Sequence, residues 1–327
     1  MRGNRTTRGH SGLQALLLSA AALLTLTAAP AFAQAPADYR SADPRALLRA
    51  LPGAPPETRA EIAAAMAARR TQVLPTLWDA ARFGDRAEKM LACSLIAELR
   101  DRDGVDALVD ASADADVRVR RRAATALRIL ADRRAAPRLR ALLGGEADLG
   151  VLKTALAGLG RIGLARDAQA IAPFLAHADL GVRVVAAGAL ALLGDEQGLA
   201  LVLQATDAGD PGVQKSATYV LGFFAAPAAA ARLQAIVDDP QGAWKAYALI
   251  ALTERQLAAQ PPATQAATLA ALARRSGRSR TQAEWAVDRL TDLGTPQAAA
   301  ALRALSDRPT PVGRLAARRL LALEAQP

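Results

Sequence analysis

Histidine and cysteine are almost missing from this chain. Of its two histidines, His10 falls in an N-terminal leader described below, which leaves His177 alone, and Cys93 is the single cysteine. A zinc or di-iron site needs several histidines, usually beside carboxylates. A Ser-His-Asp or Cys-His triad would have to be built on His177, and nothing around Ser94, Ser112 or Ser216 resembles a nucleophile motif. Those enzyme classes are excluded, and the sequence predicts no catalytic residue, no metal site and no cofactor. His177 reads as a helix-end residue interacting with the dipole. One cysteine also excludes an intramolecular disulfide, so stability must come from packing. Cys93 lies in the apolar run from Met90 to Ile96 and reads as part of that packing.

Aromatic residues make up only 3% of the chain, and Val, Ile and Thr are too few and scattered for a sheet protein. The 52% hydrophobic content is largely alanine and leucine, which predicts an all-α fold. The net charge of +10 would ordinarily point to an acidic partner. All but four of the 41 basic residues are arginine, however, and alanine is in excess, a pairing that reflects a compositional bias. Nucleic acid is not an expected partner, and the shortage of rings argues against base stacking.

The chain starts with a different kind of sequence. Arg2, Arg5 and Arg8 precede an apolar run from Leu13 to Thr27, and Ala31-Phe32-Ala33 forms a small-x-small cleavage site, the pattern of a secretory signal peptide over residues 1–33. The expected destination lies across the inner membrane, periplasmic or extracellular, with no transmembrane segment in the mature chain. Residues 34–55 are rich in Ala and Pro and read as a linker with one short helix around Ala46 to Leu51.

From residue 56 onward the chain repeats itself. The stretch from Asp116 to Leu143 reads as two short helices: Val119, Ala123, Ala126, Leu127 and Leu130 share one face of the first, and Leu139, Leu142 and Leu143 one face of the second. The same pattern returns at Val151, Val182, Val213 and Trp244, at intervals of 32, 31, 31 and 31 residues, with weaker copies at Ala92, Gln282 and Val312. Twenty residues after the valine position stand Leu139, Ile171, Val202, Leu233 and Leu302; in the Trp244 unit the matching Leu269 comes late, after a turn holding Pro261 and Pro262. Units open on Asp116, Asp148, Asp179, Asp210 and Asp239, read as N-caps. Gly144, Gly160, Gly194, Gly222 and Gly294 read as C-caps.

The D-x-x-V-R-x-x-A-x-x-A-L core followed by a second amphipathic helix resembles the short HEAT-like repeats, of the type also found in bilin lyases. The resemblance implies an α-solenoid, a right-handed superhelix of about eight stacked antiparallel helix pairs over residues 56–327, closed by a last helix from Val312 to Leu323. It also implies an arginine ladder after the valine, which here reads Arg120, Leu152, Arg183, Gln214 and Lys245. Tetratricopeptide and ankyrin signatures are absent.

Two clusters are candidate partner sites. Nine arginines lie between Arg118 and Arg140 against the single acid Asp132. Among them Arg134 and Arg138 are expected on the second helix opposite Leu139 and Leu142, facing a concave surface, with Arg133 and Arg140 flanking them. They form either a basic groove for an acidic protein segment, an anionic envelope component such as a teichoic or lipid phosphate, or nucleic acid, or else a solvated face in an arginine-rich chain. Tyr219 and Phe223, four apart, are the more exposed pair in the one place where large rings gather, together with Trp244 and Tyr247. The leading expectation is an exported, non-enzymatic scaffold that binds a protein partner in the cell envelope through its concave face. The alternatives are a polyanion-binding envelope protein and an accessory or lyase-like repeat enzyme.

Overall fold

In a computed structural model, the described residues are 41–55, 69–275 and 280–324, together with positions 39, 58, 62, 65 and 66. The signal-peptide segment lies outside them. They divide into two compact units between Thr76 and Leu77. In the first, helix α1 (Pro44–Ala50) starts on Asp43, whose side chain accepts the Ala46 N–H, and runs into a 3-10 turn at Leu51–Gly53. Leu47, Leu48 and Leu51 are buried, so the short helix expected in the Ala/Pro-rich stretch packs as part of a small core.

The second unit is an all-α solenoid. Helix α2 (Arg70–Phe83) leads into the array, and the described helices from there are α3 (Arg86–Glu98), α4 (Val105–Ala111), α5 (Val117–Leu130), α6 (Ala136–Leu143), α7 (Leu149–Ile162), α8 (Ala168–Ile171), α9 (Leu180–Leu192), α10 (Leu199–Ala205), α11 (Pro211–Val220), α12 (Pro227–Asp238), α13 (Lys245–Ala258), α14 (Pro262–Arg275), α15 (Arg280–Leu293), α16 (Pro296–Ser306) and α17 (Pro311–Glu324). Odd-numbered helices from α3 stack on one another as a layer of first helices, and each even-numbered second helix packs on the first helix of the next unit. Seven complete pairs therefore stand between α3 and α16, and α17 covers the last pair.

The repeat pattern is the core. Val119, Val151 and Val182, the alanines Ala123, Ala155, Ala186, Ala217 and Ala248, and the leucines Leu127, Leu159, Leu190 and Leu221 are all buried. So are Leu139, Ile171, Val202, Leu233, Leu269 and Leu302 of the second helices. Each such leucine contributes about 1.5–3 kcal/mol when fully buried. The first helices start as the sequence predicts where Asp116, Asp148, Asp179 and Asp210 accept a backbone N–H, at 2.7–2.9 Å.

The unit at Trp244 departs from this pattern. Asp239 is the C-cap of α12, its carboxylate accepts the Gln241 N–H, and α13 starts only at Lys245 with Trp244 as an uncapped N-cap. Proline at position 240 and glycine at 242 break the run that would have let Asp239 open a helix.

Two of the five expected C-cap glycines do another job. Gly160 lies inside α7, where an added Cβ would come within 2.7 Å of Ala189 Cα; Gly222 stands likewise 2.9 Å from Ala251 Cα. Both permit first helices to touch backbone to backbone. The residue ending α7 is Gly163, in the left-handed conformation shared with Gly194 and Gly294. Arg100 and Ala131 hold the same repeat position with positive φ and no glycine.

Candidate functional site

Close packing at Gly160 and Gly222 draws the C-terminal halves of the first helices together, and their side chains meet. Arg100, just past the end of α3, donates through Nη1 to Ile129 O at the end of α5 (3.0 Å) and places Nη2 2.9 Å from Asp292 on α15. Arg161 of α7 reaches the same carboxylate at 3.5 Å and Arg289 stands 3.8 Å from it. Arg319 of α17 pairs with Asp288 (2.7 Å) and approaches Glu98 of α3 (4.0 Å); Arg289 pairs with Glu254 of α13 (3.0 Å). Residues from the first and last units of the array thus share one charged hub, with the first helices as the inner layer.

Its electrostatics follow from partial burial. Loss of solvent raises the pKa of Glu98, against Arg319 and Arg318, and that of Glu254, against Arg289 and Arg161. Burial lowers the guanidinium pKa of Arg100, with Asp292 working the other way, and that of Arg128, where Arg161 and Arg100 add repulsion. For Arg319 burial also disfavours the charge, but Asp288 and Glu98 overcome it and hold the pKa above its ordinary value. The carbonyl ends of the helices carry partial negative charge, which suits arginines gathered there.

The arginines singled out in the sequence lie elsewhere. Arg133 and Arg134 sit in a 3-10 turn before α6, and Arg133 is exposed there. Asp132 caps that turn: its carboxylate accepts the Arg134 N–H and side chain, and Arg134 Nη2 also reaches Arg102 O in the preceding unit. Arg138 donates to the hydroxyl and carbonyl of the buried Ser112, each at 2.9 Å, and Arg232 repeats the hydroxyl contact on Thr206 three units later. Arg140 pairs with the buried Asp167 of the next unit. Three of the four therefore tie neighbouring units along the second-helix layer, so the concave placement expected for Arg134 and Arg138 gives way to the first-helix layer.

Tyr219 and Phe223 are half-buried and pack edge to face, ring centroids 5.2 Å apart. Phe223 leans on the core, and Tyr219 belongs to the hub, where burial and the Glu254 charge raise its pKa. Trp244 donates to Gln214 Oε1 (3.0 Å), which fills the gap in the arginine ladder; at Arg120 the ladder residue grips Glu146 through Nε and Nη2 at 2.7 and 2.9 Å. His177 accepts the Asp179 N–H at a helix junction, and burial pushes the Cys93 thiol up to about 12. Among the described residues no cluster of His, Cys, Asp and Glu could hold a metal, and no helix is long and apolar enough to cross a membrane.

The hub was legible only in fragments. Ten residues after the valine position the units read Ile129, Arg161, Leu192, Phe223, Glu254 and Asp292, a mixture of apolar and charged residues that local periodicity does not flag. The sharper signal is Arg100, an arginine where other units have glycine.

No curated protein matches the chain. Among solved structures, a chain from the complex of CpcE and CpcF of phycocyanin lyase from Nostoc sp. PCC7120 is similar over 67% of this chain and 90% of that one, at 23% identity and a TM-score of 0.51, a likeness of fold. Human deoxyhypusine hydroxylase is similar over 80% of this chain and 99% of its own, at 17% identity and a TM-score of 0.38. The HEAT-repeat pattern matches residues 75–160 and 168–253, more than half of the sequence, and the chain belongs to the HEAT-repeat family.

Proposed function

We propose that this chain is an exported, non-enzymatic HEAT-repeat scaffold that binds a protein partner in the cell envelope through its inner layer of first helices. One observation carries the reading. Ion-pairing side chains from units far apart in sequence meet at one end of that layer and stay partly open to solvent, Arg161 at 33% and Arg289 at 25% of the side chain. A segment entering there meets several units at once, the way extended repeat surfaces bind. Export rests on the leader alone: a basic start, an apolar run and Ala31-Phe32-Ala33.

The experiment is an affinity capture from envelope extract with the mature protein and two variants. One stoichiometric protein retained by wild type and Arg134→Glu but lost with Arg161→Glu supports the reading; equal retention by all three defeats the assigned face. N-terminal sequencing of the native protein checks export, with Gln34 as the expected first residue.

A further inference from the structure

We propose that the hub holds a phosphate group between Arg100, Arg128 and Arg161. The site shares the hub and Arg161 with the protein-partner reading but does not rest on it: phosphate binding is read from the purified chain alone, without any second macromolecule.

The first observation is the balance of charge. The hub brings Arg100, Arg161, Arg289 and Arg319 into ion pairs with Glu98, Glu254, Asp288 and Asp292, and the field of Arg128 is added to theirs, so cations outnumber carboxylates. A surplus of guanidinium over carboxylate suits an anion that carries more than one oxygen acceptor, such as phosphate. The carbonyl ends of the helices offset part of the surplus, but Arg100 Nη1 already takes the Ile129 carbonyl.

The second is how the pairs are distributed. Asp292 alone serves Arg100, Arg161 and Arg289. Arg128, one residue before the Ile129 that Arg100 touches, has no carboxylate within ion-pair distance among the described residues, and the Arg100 Nε–H is buried with no acceptor. A guanidinium in that setting is under repulsion, and its planar fork is shaped for phosphate oxygens.

The third is backbone strain. Arg100 adopts φ 53°, at the repeat position where three other units carry glycine. A non-glycine residue in the left-handed region is disfavoured and recurs at ligand clamps. Here it aims a cation at the hub that glycine could not supply.

The test is thermal unfolding of the full chain at pH 7 and constant ionic strength, with inorganic phosphate, glycerol phosphate or sodium chloride alone. A saturable rise of several degrees with phosphate over chloride, lost in Arg128→Gln and Arg161→Gln and kept in Arg134→Gln, is expected. A response to both phosphates marks a site for phosphomonoesters, and a response to inorganic phosphate alone a site for the free ion. Should Arg128→Gln fail to fold, the more exposed Arg161→Gln decides, with calorimetric titration of phosphate into wild type as the second measurement. A rise no larger than that in chloride, or one that persists in Arg161→Gln, overturns the proposal.

Discussion

Arg100 Nη2 lies 2.9 Å from Asp292 Oδ1 although one residue follows the first of the first helices and the other ends the seventh. The contact exists because the array curves far enough to bring its ends together. Both side chains are mostly shielded, 15% and 19% exposed, so their attraction is screened less than that of a surface pair.

A double-mutant cycle of Arg100→Gln and Asp292→Asn should therefore show a coupling of about 1–2 kcal/mol in urea unfolding. Additive single effects would mean that the ends do not meet in solution. The left-handed backbone adds a second readout. Arg100→Gly should be less destabilising than Arg100→Ala by about 1 kcal/mol, since both remove the cation and only glycine relieves the strain.

Gly160→Ala should destabilise by about 1–3 kcal/mol, because its Cβ would press on the Ala189 backbone at 2.7 Å and force α7 from α9. Gly145→Ala is the control. Nothing lies within 4 Å of its added Cβ, and restriction of the unfolded chain should stabilise it by about 0.4–1 kcal/mol. Equal melting temperatures for the two variants would contradict the close first-helix contact.

Glu146 links stability to pH. The Arg120 hydrogen bonds lower its pKa, so its stabilising contribution is complete above the ordinary carboxylate value and disappears as pH falls through the lower folded value. Glu146→Gln should cost about 1–2 kcal/mol at pH 7 and flatten the fall in melting temperature below about pH 4. An unchanged acid slope would show that Arg120 does not hold Glu146 in its charged form.

The second-helix arginines should behave as struts. Arg138→Met leaves the Ser112 groups without their donor and should cost about 1–2 kcal/mol. Arg134→Glu should leave retention on heparin close to wild type, because Arg134 is already engaged by Asp132. A large loss of heparin retention in Arg134→Glu would restore the basic-groove reading.

The helices, their pairing and the buried valines, alanines and leucines could be read from the chain because each repeat meets mainly its neighbours. The information is local and recurs at every unit, and a spacing of 31 residues reports it several times over. Asp239 and Gly160 show where that logic stops: a residue type suited to a cap serves a turn or a helix contact when the surrounding backbone demands it.

What only the tertiary structure decided is where the array bends and what the bend gathers. Curvature is the sum of small rotations between units, and Gly160 against Ala189 and Gly222 against Ala251 are places where first helices come close enough to exclude a Cβ. That sum brings Glu98 to Arg319 and Arg100 to Asp292, partners that no periodicity connects. It also separates the arginines that tie neighbouring units, Arg134, Arg138 and Arg140, from those that face one another across the hub, a difference that charge and spacing alone do not carry.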